Sequence, residues 1–167
     1  MIYKINFLFV TLFGIGKLPK IPGSYASLAT IILLFFLFHI LKISVDIFLF
    51  FLIFLFLISI FSINSFVKNS NNKDPKEIVI DEFIGQSIPI CLYELAHQEN
   101  SNKIEIVTFY FIMFILFRIF DITKPYPANY YDKNIKNGLG VIMDDVVAGL
   151  YVVAIMVLFM VGKSTFF

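Results

Sequence analysis

The sequence has one cysteine, Cys91, and no tryptophan. A lone thiol excludes an intramolecular disulfide framework and a cysteine-rich zinc cluster, so the redox compartment is not written in it. Charge is scarce as well: 15% of the 167 residues are Asp, Glu, Lys or Arg, and the net charge is only +1. An ordinary soluble domain carries about 25% charged residues. With no global field and no basic run interleaved with exposed aromatics, nucleic acid is excluded as a partner. There is no Gly-x-Ser-x-Gly elbow and no P-loop, and Cys91 has no evident base, which leaves serine, cysteine and nucleotide-cleaving chemistries without support. The two histidines, His39 in an apolar run and His97 in a polar one, lack ligand spacing and read as structural.

What fills the chain instead is apolar residues, 59% of the total, with a mean hydropathy of +0.89. Too little polar surface remains to cover a soluble core, so a bilayer is the expected solvent for much of the exterior. The apolar blocks far exceed the usual length of a strand, and an open sheet in lipid would leave backbone groups unpaired. The expected fold is all-α: a single membrane-embedded domain over residues 1–167, built as a small polytopic bundle with short or re-entrant helices. The apolar stretch Ile5 to Phe13 runs into Gly14-Ile-Gly16-Lys17 with no small-residue cleavage site and reads as part of the mature protein.

Apolar residues dominate from Ser27 to Ile63, broken by Lys42-Ile-Ser44-Val-Asp46, which predicts a helical hairpin. A polar, Asn-rich loop over 64–76 follows, containing Asn69-Ser-Asn-Asn72 and Asp74-Pro75. Residues 78–96 are apolar again, with Asp81, Glu82, Gln86 and Glu94 inside and Pro89 expected to kink a helix. Residues 97–103 are polar; a helix is expected over 104–120, then a Pro/Gly/Asn-rich segment to Gly140 and a last helix over about 141–161.

Counting crossings sharpens this. If only 28–42, 46–63, 104–120 and 146–161 crossed, Asp81 and Glu82 would face the opposite side from Asp121, Asp144 and Asp145. Letting 83–96 cross or deeply enter puts every acidic group on one side. Lys17, Lys20, Lys68, Lys73, Lys76, Arg118, Lys124, Lys133 and Lys136 then share that side, against Lys42, Lys103 and Lys163 opposite, which makes it cytoplasmic by the basic-residue bias. Fourteen helical residues reach only about 21 Å of a ~30 Å hydrocarbon core, so tilt, local thinning or a re-entrant hairpin is expected.

Four stretches carry candidate chemistry. In Ile78-Val-Ile-Asp81-Glu82-Phe-Ile-Gly85, two acids open a helix where its dipole favours them, and Gly85 is expected to clear space beside Asp81. In Gly138-Leu-Gly140-Val-Ile-Met-Asp144-Asp145, glycines are expected to precede a helix bearing two acids about 100° apart. Such carboxylates cannot hold an anionic phosphate unaided, whereas Mg²⁺ bridges the two. Arg118, the only arginine, lies three residues before Asp121 and six before Lys124, and charges this close to lipid need partners. Lys124-Pro125-Tyr126-Pro127 should end that helix. Finally, Leu18-Pro19-Lys20-Ile21-Pro22-Gly23-Ser24 precedes a helix that Ser24 is expected to cap, with free N–H groups that suit phosphate. The plainer readings are helix-end charge, a solvated loop boundary, an arginine snorkelling to lipid phosphate beside interfacial tyrosines, and a cap without ligand.

In order and spacing, "PGSYASLA", "IVIDEFIG", "FRIFDITKPYP" and "YDKNIKNGLGVIMDDVVAG" resemble the phosphatidylglycerophosphatase A family over about residues 12–160. Ala26 replaces a glycine of the family pattern, and Lys133 stands where arginine is common. The resemblance implies an all-α, magnesium-dependent phosphatase of the bacterial inner membrane that converts phosphatidylglycerophosphate to phosphatidylglycerol and inorganic phosphate. With these motif positions in place, the expected catalytic set is Asp81, Glu82, Asp121, Asp144 and Asp145, with Asp81, Glu82, Asp144 and Asp145 on Mg²⁺ and with Ser24, Arg118 and Lys124 on the phosphate. Attack by water and by a carboxylate both stay open, and the expected partners are the membrane and a phospholipid, with no protein partner. Two rivals are a small transporter using carboxylates as an ion relay and a CDP-alcohol phosphotransferase, whose Asp-Gly…Ala-Arg pattern is absent.

Overall fold

The computed structural model describes residues 2–68, 76–96 and 102–166, and side chains within 4–162 of these. Among the described residues every regular element is helical, as the apolar block lengths require. The expected polar turns over 69–75 and His97 lie outside the described residues.

Helix α1 (Ile2–Val10) leads through a short 3-10 turn (Ile15–Lys17) into α2 (Pro22–Phe35), which continues as a π-helical turn, Phe36–Ile40. Pro22, with its fixed φ and no N–H to satisfy, starts α2 at its first position. The expected cap therefore moves: Ile21 is the N-cap, without a side-chain bond, and Ser24 sits inside the first turn. The hairpin forms with α3 (Val45–Lys68). Helix α4 (Ile80–Ala96) continues through Pro89, which lies inside it. Helix α5 (Lys103–Thr123) is capped by Asn102, whose side chain accepts from Ile104 N, and stops where Lys124 turns left-handed at φ +43° before Pro125.

A short helix the sequence patterning did not anticipate, α6 (Ala128–Asn134), fills the Pro-rich segment. Helix α7 (Gly138–Phe166) begins three residues earlier than expected, because the Asn137 side chain accepts from Gly140 N and supplies a cap. Gly138 and Gly140 thus lie in the first turn rather than before it. Asn64, near the end of α3, fixes the same point by accepting from Gly138 N at 2.7 Å.

Four helical segments are long and apolar enough to cross a membrane: Pro22–Ile40, Val45–Lys68, Lys103–Thr123 and Gly138–Gly162. Their outer faces are apolar, with Phe50 81% and Phe61 75% exposed. A water-facing surface of this kind would be a liability, whereas lipid is its natural solvent. Helix α4 differs. It is buried from Ile80 through Tyr93 on most of its surface and packs against α2, α3, α5 and α7.

Helix α4 also settles the count of passes through the bundle. Its first turn lies beside the start of α2, where a Cβ on Gly23 would fall 2.0 Å from Glu82 Oε1. Its last turn lies beside the end of the same segment, where His39 Nε2 is 3.2 Å from Glu94 Oε1. Tyr110 of α5 donates to that Glu94 oxygen at 2.9 Å. Seventeen residues at 1.5 Å span about 25 Å, so α4 travels the depth of the bundle as a fifth pass enclosed by the other four. The four-pass alternative, with Asp81 and Glu82 away from the other acids, is ruled out by this path.

A pair of glycines sets how closely α4 meets α7. A Cβ on Gly85 would lie 2.6 Å from the Asp145 carbonyl oxygen, and a Cβ on Gly149 would lie 2.4 Å from the Gly85 carbonyl oxygen. Gly85 therefore clears room for the α7 backbone, not for the Asp81 side chain as the sequence suggested. Pro89 contributes: lacking an N–H, it leaves the Gly85 carbonyl outside the helix ladder and turned to α7, where close Cα–H contact is favourable. Neither backbone can yield cheaply. Gly85→Ala and Gly149→Ala should each destabilise the protein in detergent by about 1–3 kcal/mol through overpacking. Gly162→Ala, with nothing within 4 Å, should be neutral or stabilising by up to about 1 kcal/mol from helix propensity. Thermal unfolding of the three variants checks this; equal melting temperatures would contradict the packing assignment.

Candidate active site

Helices α2, α4 and α7 begin, and α5 ends, around one cleft of about 530 Å³. The positive ends of three helix dipoles thus converge on it, which favours anions there before any side chain is counted. Ser24, Asp81, Glu82, Arg118, Asp121, Lys124, Asp144 and Asp145 all line this cleft. Residues spread over 122 positions of the sequence are brought together because α4 makes the extra pass.

One carboxylate oxygen from each of Asp81, Glu82 and Asp145 can be chosen so that all lie within 4.8 Å of one another. Asp81 and Asp145 are only 8% and 3% exposed, so water screens them poorly. Two like charges about 4 Å apart at an effective dielectric near 20 repel by about 4 kcal/mol. Glu82 Oε2 and Asp145 Oδ1 are buried without a hydrogen-bond partner, an arrangement that costs free energy unless something else binds there. The glycine at position 23 makes room for the Glu82 carboxylate, since a Cβ would strike Glu82 Oε1 at 2.0 Å and approach Arg118 Nη1 to 3.1 Å.

Two cations of the cleft, Arg118 and Lys124, are committed to other acids. Arg118 Nη1 lies 2.5 Å from Asp121 Oδ2, the i, i+3 pair expected on α5. Lys124 Nζ donates to Asp132 Oδ1 at 2.7 Å and to Asp144 Oδ2 at 2.6 Å. Burial alone would lower the Lys124 pKa, but hydrogen bonds and attraction to Asp132 and Asp144 outweigh it and raise the ammonium above the ordinary lysine value. Its left-handed backbone at the end of α5 throws the side chain across to α6 and α7. Asp144 therefore separates from the tight trio: one oxygen is on Lys124, and the other accepts from Asp145 N at 3.1 Å. Among the described residues no ion pair involves Asp81, Glu82 or Asp145.

Several contributors were given no site role by the sequence reading. Asp132, the second partner of Lys124, lies eight residues after it on the unforeseen helix α6. Lys20, Lys76 and Lys136 also line the cleft. Gln86 is fully buried one turn below Glu82, with neither amide atom hydrogen-bonded. The only available signal for the first was its position within the "YDKNIKNG" stretch; the lysines looked like ordinary loop charges.

Comparison with known proteins gives a consistent pattern. A Haemophilus influenzae protein named phosphatidylglycerophosphatase A is 37% identical over 84 residues, covering 49% of this chain and 45% of that protein. The Escherichia coli protein of the same name is 34% identical over 95 residues, covering 57% of this chain and 49% of its own length. A Bacteroides thetaiotaomicron protein, provisionally described as a phosphatidylinositol-3-phosphatase, is 41% identical over 81 residues, covering 47% and 45%. The chain thus spans about half the length of the curated relatives it matches. No solved structure matches it. The family model for phosphatidylglycerophosphatase A, however, matches residues 8–160, a range that takes in every residue of the cleft, and the chain belongs to that family.

Proposed function

We propose that the protein is a lipid phosphatase that hydrolyses phosphatidylglycerophosphate to phosphatidylglycerol and inorganic phosphate in phospholipid biosynthesis. The observation that carries this reading is the trio of buried Asp81 and Asp145 with half-buried Glu82, gathered within 4.8 Å beside an arginine and a lysine where three helices begin. Two relatives are named for this activity, and all three are named for removing a phosphate from a phospholipid headgroup.

The trio fits a hard divalent cation. All three donors are carboxylate oxygens, and Glu82 Oε2 and Asp145 Oδ1 lack a protein partner, which is the ligand chemistry of Mg²⁺. Asp81, Glu82 and Asp145 would hold it, with Asp144 at the edge of the set. When bound, Mg²⁺ offsets the charge of the trio and of the phosphate and lowers the pKa of bound water. The chain's own groups do the rest. Arg118, held by Asp121, and Lys124, held between Asp132 and Asp144, face the transferring phosphoryl group with fixed positive charge that needs no reorganisation during reaction. N–H groups at Gly23 and Ser24 add donors from the first turn of α2. A new bond to phosphorus forms either from water, whose proton passes to a cleft carboxylate, or from a carboxylate oxygen, whose acyl phosphate water then cleaves. The bond from phosphorus to the glycerol oxygen breaks, and that oxygen leaves as the alcohol after taking up a proton.

Location follows from charge. The cleft end of the bundle carries Lys17, Lys20, Lys68, Lys76, Lys124, Lys133, Lys136 and Arg118, whereas Lys42 and Lys103 lie at the other and Lys4 sits on α1. That bias supports the cytoplasmic face of a bacterial inner membrane. An ion relay would need carboxylates spaced along a path, yet α4 has none between Glu82 and Glu94.

Asp81→Asn and Asp145→Asn should each cut phosphate release in detergent by at least about 100-fold while the protein remains folded, since each removes a charge from the shared cluster. Chelator should abolish wild-type turnover and added Mg²⁺ restore it. Undiminished turnover in both variants, or release indifferent to chelator, would contradict the assignment.

A further inference from the structure

Three lysines on the wall of the cleft have no part in the chemistry above. Lys20 lies on the turn before α2, Lys76 just before α4 and Lys136 just before α7. Each is exposed, and among the described residues none makes an ion pair with a carboxylate. They approach the cleft from three separate segments, so their convergence is a product of the fold. Lys20 occupies a left-handed backbone at φ +76°, which an L residue rarely adopts, within a turn closed by Ile21 N donating to the Pro19 carbonyl at 3.1 Å. Lys136 is steered to the cleft by its ammonium, which donates to the Asp132 carbonyl at 2.5 Å.

The charge of the cleft is therefore separated by depth. Six carboxylates line it, and the two cations among them, Arg118 and Lys124, are already paired; the trio is acidic and mostly buried, and the three lysines without an ion pair are exposed, at the rim. An anion too far from the trio to share its cation is repelled by the acids and attracted only by this rim. We propose that Lys20, Lys76 and Lys136 form a second anion subsite that binds the phosphodiester of the substrate while its terminal monoester occupies the acidic centre. The preferred class is then a lipid in which a phosphodiester lies a few carbons from a phosphomonoester; a lipid bearing only a monoester leaves the rim empty. This rests on the phosphatase reading above.

The test uses purified full-length protein in neutral detergent with Mg²⁺. Phosphatidylglycerophosphate carries both groups, and phosphatidic acid, followed as competing substrate or inhibitor, carries only the monoester. Replacing the three lysines together by alanine should raise KM for phosphatidylglycerophosphate by about tenfold or more, the scale of a few charge-assisted contacts at an exposed site, with kcat changed less than about threefold. The apparent affinity for phosphatidic acid should stay within a factor of about two of wild type, which also shows that the variant is folded. The Lys→Arg triple should recover the low KM, and raising salt should erode the wild-type preference more than that of the alanine variant. A parallel loss of affinity for both lipids, or no change for either, overturns the rim subsite while leaving the phosphatase reading intact. A wild-type protein inert towards phosphatidylglycerophosphate instead removes the phosphatase reading and the subsite with it.

Discussion

Mutual repulsion among buried carboxylates is the constraint around which this bundle is organised. Asp81, Glu82 and Asp145 meet in a poorly hydrated pocket, and the nearby cations answer to other acids. Left alone, that cluster opposes folding, because burying like charges costs both hydration and Coulomb energy. A bound divalent cation reverses the sign of the interaction. Binding of such an ion would be linked to fold stability, because it would offset the repulsion that opposes folding.

The rest of the architecture keeps the carboxylates from escaping one another. Gly85 and Gly149 bring the α4 and α7 backbones together directly below Asp81 and Asp145, and Pro89 frees the carbonyl that faces the second of these glycines. Gly23 lets the start of α2 close over Glu82. At the opposite end, His39, Glu94 and Tyr110 tie α2, α4 and α5 together. The central helix is pinned at both ends, and the lipid-facing helices supply the apolar enclosure. The bundle is polar where three helices begin and apolar over most of the rest of its described surface.

Much of this was legible in the sequence, for identifiable reasons. Long apolar runs fix helices by elimination, and four of the five passes announce themselves by length. The fifth did so only through topology: the acids of α4 can join those of α5 and α7 only if α4 also passes through. The i, i+3 pair of Arg118 and Asp121 follows from helix geometry alone. Ser24 as a cap and Gly138 as a pre-helical residue failed because local competitors, Pro22 and Asn137, set those helix starts. The partition of Asp144 from Asp145, adjacent in sequence, was invisible. It depends on Lys124 reaching across from a left-handed turn, and on Asp132 being carried there by a helix with little apolar periodicity. What Gly85 faces is likewise a tertiary fact.

The central claim, that these carboxylates converge in order to share a cation, is tested most directly by metal binding measured without turnover. Mn²⁺ titrated into the purified wild-type protein in detergent and followed by electron paramagnetic resonance should show saturable binding that Mg²⁺ displaces. The affinity should fall by about tenfold or more in Asp145→Asn, as expected when a ligand of a shared site is lost. Wild-type protein that leaves the free Mn²⁺ signal unchanged, or an Asp145→Asn variant that binds as tightly as wild type, would contradict the account.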